Sequence, residues 1–82
     1  MHYVYVLKLS NGDLYKGFTE DLKKRLLEHQ KGEVTSTSKY LPAKLVYYEA
    51  FIAKTDAKRE EIFLKSGIGK EVLRKKIENS IE

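Results

Sequence analysis

The run Tyr3-Val4-Tyr5-Val6-Leu7-Lys8-Leu9 is almost continuously apolar, β-branched and aromatic, which predicts a central strand covered on both faces. Ser10-Asn11-Gly12 turns the chain, and Asp13 to Phe18 returns as a second strand. The period then lengthens. At about 100° per residue, Leu22, Leu26 and His29 fall on one stripe of a helix, with Arg25 about 60° from Leu22. Thr19 is the expected N-cap, Glu20 and Asp21 stand in the first turn, and Gly32 follows Lys31 as the left-handed cap. Glu33 to Lys39 reads as a solvated loop rich in hydroxyls (Thr35, Ser36, Thr37, Ser38), closed by Pro42. Ala43 to Phe51 predicts a third strand, with Leu45, Tyr47 and Phe51 on one side and Val46, Tyr48 and Ala50 on the other. Thr55 or Asp56 should cap a second helix running to about Lys65, with Ala57, Glu61 and Leu64 in line. Gly67 and Gly69 bracket a tight connection to a third helix over Lys70 to Ile81, with Val72, Leu73, Ile77 and Ile81 inward. The element order is β-β-α-β-α-α.

Two registers are open to the first hairpin. A two-residue Asn11-Gly12 turn pairs Leu9 with Leu14 and puts Tyr5 and Tyr15 on opposite faces. A three-residue loop with Gly12 as a left-handed bulge residue pairs Leu9 with Asp13 and Leu7 with Tyr15. Tyr3, Tyr5, Leu7 and Tyr15 then share a face, and Gly17 opposite Tyr5 leaves space beside its ring. Asn-Gly by itself favours the first.

The 82 residues predict a single domain, residues 1–82, with one modest core. There is no cysteine, so disulfides and thiolate metal sites are excluded, and a reducing, cytoplasmic setting is expected. No run approaches the length of a membrane span, so no membrane partner is expected. Sixteen Lys and Arg against twelve acids give a net charge of +4, a mild lean toward polyanions. Basic residues cluster at Lys23, Lys24 and Arg25 and again at Lys70, Arg74, Lys75 and Lys76, the second cluster reading as a solvated helix face.

Placement singles out a few polar groups. Arg25 and His29 are four residues apart on the buried edge of one helix, within reach of each other. Glu61 lies in the apolar stripe of the next. A buried arginine needs an anion, and a buried carboxylate needs a cation or a metal; an Arg25–Glu61 pair would satisfy both. With Tyr5 and Tyr15 this makes a base, a cation, hydroxyls and one carboxylate, a set suited to phosphodiester chemistry with Mg²⁺.

In order and spacing these residues resemble the GIY-YIG nuclease domain, in particular its small stand-alone members, over essentially the whole chain. The first motif stands as Tyr3-Val4-Tyr5 and the second as Tyr15-Lys16-Gly17. Arg25 and His29 match the family's helix pattern, and Glu61 with Leu64-Lys65-Ser66-Gly67 its metal-binding glutamate region. The sequence departs in having Lys16 for the usual aliphatic residue and no glycine in the first motif. The resemblance implies an α+β fold, a three-stranded antiparallel sheet flanked by three helices, and it favours the bulged hairpin. It implies cleavage of DNA dependent on Mg²⁺ or Mn²⁺. Tyr15 would help deprotonate or orient the attacking water, with Tyr5 or His29 as assistant or alternative, Arg25 would stabilise the phosphate, and Glu61 would ligate one metal ion. Lys23, Lys24, Lys39 and Lys65 are candidate contacts to the nucleic acid. Two other functions remain in view: a catalytically weak or inactive nucleic-acid-binding module, and an interaction protein acting through a homodimer or a partner that supplies target specificity.

Overall fold

The computed structural model describes all residues, Met1 to Glu82. It contains β1 (His2–Lys8), β2 (Leu14–Thr19), α1 (Leu22–Gln30), β3 (Lys44–Phe51), α2 (Lys54–Lys65) and α3 (Gly67–Lys76). The strands form one antiparallel sheet in the order β2-β1-β3, so the most apolar strand is the central one, as its composition requires. No helix is long and apolar enough to cross a membrane.

The hairpin adopts the bulged register. Leu7 pairs with Tyr15 and Tyr5 with Gly17. Gly12 has φ of +89°, and the Leu9 N–H donates to the Asp13 carbonyl at 2.9 Å. Asn11 Oδ1 accepts the Asp13 N–H at 3.0 Å, which braces the turn. Tyr5 and Tyr15 therefore share a face.

The two faces of β1 pack differently. Val4 and Val6 meet Ala57 and Leu64 of α2, Leu73 of α3 and Ile77, the main apolar core. Tyr5 and Leu7 face the other way, joining Leu9 and Ala43, with Leu22 and Leu26 of α1 against them.

Several local expectations are corrected. Thr19 does not cap α1: it ends β2, its hydroxyl accepts the Asp21 N–H at 3.1 Å, and the N-cap is Asp21, whose carboxylate accepts the Lys24 N–H at 3.1 Å. Lys31 and Gly32 (φ +76°) end α1 as expected. Neither Thr55 nor Asp56 caps α2. The helix starts earlier, at Lys54, from an Ala53 N-cap without a side-chain bond, and Asp56 in its first turn suits the helix dipole. In β3 a bulge opposite Val6 and Leu7 makes Tyr47 pair with Val6 and Leu45 with Leu7. Leu45 thus joins Tyr48 and Ala50 on the Tyr5 face, while Val46, the extra residue, packs with Tyr47 and Phe51 on the core side. The third helix begins at Gly67, not Lys70, because Ser66 caps it by accepting the Gly69 N–H at 3.0 Å. Gly69 is needed for packing: a Cβ there would collide with the Phe63 carbonyl. The regular helix ends at Lys76, and Val72 points to solvent, leaving Leu73, Ile77 and Ile81 to pack inward.

Candidate active site

Gly17 explains how a residue of the central strand reaches the sheet's edge. Tyr5 is 1% exposed, and its ring lies across β2 at Gly17. A Cβ at Gly17 would stand 2.5 Å from the Tyr5 hydroxyl oxygen, so no other residue type fits beneath that ring. Tyr15, two positions earlier on the same strand face, flanks it with ring centroids 6.3 Å apart.

His29 completes the cluster. Its ring meets Tyr15 edge-on at 5.2 Å and Tyr5 at 5.6 Å between centroids. It is also 1% exposed, and both ring nitrogens are bonded: Nε2 to the Tyr5 hydroxyl at 2.7 Å, Nδ1 to the Thr37 hydroxyl at 2.8 Å. The Thr37 hydroxyl points its own proton toward the Val34 carbonyl, 3.5 Å away. That polarity assigns Nδ1 as the protonated nitrogen, donating to Thr37, and Nε2 as the acceptor of the Tyr5 proton. Burial, with the Arg25 charge adding to it, holds the His29 pKa below the usual 6.5, so the neutral ring that this chain requires is the favoured form.

Arg25 lies on the solvent side of this chain. Its guanidinium donates to Glu28 Oε1 at 3.0 Å, and its charge lies close enough to the Tyr5 hydroxyl to act on it. Burial pushes the Tyr5 hydroxyl above its ordinary pKa of 10.0, and the nearby Arg25 guanidinium acts in the opposite direction. About a third of the Arg25 side chain remains exposed, at 35%, beside Lys24 and Phe18 in a shallow cleft between α1 and the end of β2. A guanidinium so placed can take a phosphate oxygen from solvent.

Glu61 approaches from the other layer. Its side chain is 15% exposed, with Lys58 3.7 Å from one carboxylate oxygen and Lys65 3.2 Å from the other. No Arg25–Glu61 pair forms; Arg25 pairs with Glu28 on its own helix. Lys58 packs over the Phe18 ring, which sets this part of α2 against β2, and the Glu61 charge raises the Tyr5 pKa from there. No three acidic or histidine side chains converge as a metal cage. One largely buried carboxylate, hydrogen-bonded by Lys65 alone, is nonetheless a fit for Mg²⁺, a hard cation that keeps several waters and takes the rest of its ligands from phosphate oxygens.

Tyr5, Tyr15, Arg25 and His29 are thus brought together, with Glu61 beside them. The four lysines are not gathered. Lys23 and Lys24 are exposed on α1, Lys65 lies by Glu61, and Lys39 is on the exposed loop whose neighbour Tyr40 accepts the Ser10 N–H. Thr37 is the member of this cluster that the sequence did not single out. It is fully buried, contrary to the expected solvated loop, and nothing in the run Thr35-Ser36-Thr37-Ser38 distinguishes it from its neighbours.

Two tyrosines, one from the central strand and one from an edge strand, a helix bearing arginine and histidine, and a glutamate from the next helix are thus carried by a small α+β domain. The chain belongs to the GIY-YIG catalytic domain family, whose model matches residues 1–71. That family consists typically of endonucleases. The chain is 42% identical over 66 residues to a UPF0213 protein of Bacillus pumilus, covering 79% of this chain and 67% of that one. A UPF0213 protein of Streptococcus agalactiae is 47% identical over 64 residues, covering 77% and 73%. The solution NMR structure of a UPF0213 protein from Bacillus halodurans superposes with a TM-score of 0.57 at 37% identity, covering 88% of this chain and 80% of that one.

Proposed function

We propose that this protein is a divalent-metal-dependent endonuclease that hydrolyses DNA phosphodiester bonds at the Tyr5–His29 cluster. The observation that carries this reading is the buried chain Tyr5 to His29 to Thr37 with the Arg25 charge beside it, which gives a tyrosine hydroxyl a base as its partner and a cation nearby. Water attacks phosphorus as the bond to the leaving oxygen breaks. The proton of that water passes to the Tyr5 oxygen, and the Tyr5 proton passes to His29 Nε2. Thr37 holds the ring in the tautomer that can receive it. Arg25 stabilises the negative charge that grows on the phosphoryl oxygens. Tyr15, half-buried beside both rings, orients the water or the phosphate. Mg²⁺ or Mn²⁺ bound through Glu61 would supply positive charge at the leaving oxygen.

The test is a nicking assay on plasmid and branched DNA with Mg²⁺, beside a thermal melt. Wild-type cleavage that is lost in Glu61→Gln with an unchanged melt supports the reading. No metal-dependent cleavage by the wild type on any DNA sinks it. One observation favours the second reading, a nucleic-acid-binding module that acts with a partner protein: Glu28 occupies Arg25, and two lysines attend Glu61. In that case Glu28→Gln should strengthen DNA binding without creating cleavage.

A further inference from the structure

Lys16 replaces an aliphatic residue in the middle of the second motif, and its surroundings show that it is not alone. Because Tyr15 and Gly17 face α1, Lys16 points to the opposite side of β2, paired with Val6 of the main core. There α3 brings Lys70 and Arg74, one turn apart, against it. The three line a cleft of about 260 Å³ with Leu14 and one acid, Asp13. Lys65, at the end of α2, adds a fourth cation close enough to depress Lys16 further.

This arrangement is unfavourable without an anion. Lys16, Lys70 and Arg74 make no ion pair; the five pairs in the protein involve other cations. Burial lowers the Lys16 pKa, and repulsion from Lys70, Arg74 and Lys65 lowers it again, with only Asp13 opposing. The first turn of α3 carries no acid, so its positive end adds to the same field. A site that concentrates cations where they repel each other relaxes when several anionic oxygens enter it.

We propose that Lys16, Lys70 and Arg74 form a second phosphate-binding site on the α2–α3 side of β2, which holds a backbone phosphate of the nucleic acid away from the one being cleaved. This rests on the nuclease reading for the identity of the strand, and it makes β2 a rail: chemistry on its α1 side, backbone anchoring on its α2–α3 side. The third-helix basic residues Lys70 and Arg74 then bind a phosphate instead of merely solvating a helix.

The experiment measures binding of a fluorescent DNA oligonucleotide to the full chain across a range of KCl, without divalent metal so that nothing is cut. Lys16→Gln/Arg74→Gln is compared with Lys31→Gln/Lys75→Gln, which removes the same charge from exposed positions outside the cluster. The cluster variant should bind about tenfold more weakly and lose roughly 0.9 from the log–log salt slope, one phosphate contact. The control should change less than about twofold, as expected for a general charge effect. Lys70→Gln/Arg74→Gln, confined to exposed α3 positions, repeats the test should Lys16→Gln disturb the sheet. An equal loss in the control, or an unchanged slope in both cluster variants, overturns the site. Wild-type cleavage with an unchanged slope in the variants removes the site and leaves the nuclease. Slope loss without any Mg²⁺-dependent cleavage keeps the site and removes the nuclease. A wild type that binds no DNA removes both.

Discussion

β1 sends alternate residues into two contrasting environments. Val4 and Val6 enter a layer packed mainly by apolar side chains from α2, α3 and Ile77. Tyr5, one position away from each, enters a layer where a phenol, an imidazole and a threonine hydroxyl are buried and bonded in series. The first environment is tolerant in kind: any apolar residue of suitable volume satisfies it. The second is strict, because each polar group is satisfied only by the next, and removing one strands its neighbour away from water. One face of the sheet therefore carries most of the apolar core, and the other carries the buried polar chain. Substitutions on the two faces should fail in different assays.

The sharpest separation is expected at the site. Glu61→Gln and Arg25→Ala should each lower Mg²⁺-dependent nicking by at least about a hundredfold. Their melting temperatures should stay near that of the wild type, since the ion pairs of both residues are partly exposed and worth at most about 1 kcal/mol. A marked loss of stability in Glu61→Gln would mean that its two lysine contacts hold α2 in place, and the division between the faces would fail there.

The converse variant lies in the core. Leu73 is 1% exposed between α3 and the sheet, so Leu73→Ala should destabilise the fold by about 2–5 kcal/mol. Cleavage per folded molecule should not change. A urea melt gives the first quantity, and nicking at a temperature where the variant is still folded gives the second. Loss of activity in the folded variant would couple the two layers.

Thr37 tests the strict layer from within. Thr37→Val keeps the volume but leaves the His29 Nδ1–H without its acceptor, at a cost of about 1–3 kcal/mol. Cleavage should fall about tenfold, the scale of a positioning contact rather than of the base itself. Because His29 titrates below its usual 6.5 and must be neutral to accept the Tyr5 proton, the wild-type rate should decline only on the acid side of that value. In Thr37→Val that acid limb should shift, whereas a purely structural role would leave it in place. Thr37→Ser should restore both rate and profile.

The contrast between the faces also explains what could be read from the sequence. The core face follows from periodicity: Val4, Val6, Ala57, Leu64 and Leu73 are apolar at strand or helix spacing and pack as those spacings require. His29 and Arg25 were legible because a polar residue on an apolar stripe is conspicuous. The hairpin register was legible only in part, since Asn-Gly favours the shorter turn and the bulge is stabilised by the Asp13 bonds that span it. The β3 bulge left no mark, because its residues alternate without interruption and its position depends on pairing with β1. Thr37 was illegible for the same reason. Four neighbouring hydroxyls are equivalent until the loop folds back on α1 and one of them meets His29. The double glycine misled about α3: read as a breaker, Gly69 is a contact with the Phe63 carbonyl inside the helix.

The smallest expected effect concerns the neighbouring carboxylates Glu60 and Glu61, which α2 turns toward different strands. Glu61 faces β2 and the site. Glu60 faces β3, where Glu49 and Tyr47 act on one another and on it, and Lys76 of α3 donates to the Tyr47 hydroxyl at 3.4 Å. Glu49 Oε1 is buried with no donor while both acids are ionised, and a proton on Glu60 supplies one. That shared bond, followed by burial and the Glu49 charge, raises the Glu60 pKa to about 7, with Lys76 opposing. The folded state therefore holds this proton more tightly than the unfolded chain. The resulting stability is complete below the ordinary value of 4.5 and is lost as pH rises through about 7. Discounted for solvent screening, the loss between pH 5 and pH 8 should be on the order of 1 kcal/mol. Glu60→Gln provides a permanent N–H donor to Glu49, so it should flatten the pH dependence of the urea midpoint over that range. Nicking activity should be unaffected, because this cluster lies on the β3 side of α2. An undiminished pH slope in Glu60→Gln would assign the titration to another group, and a loss of nicking would show that α2 does not keep its two carboxylates apart.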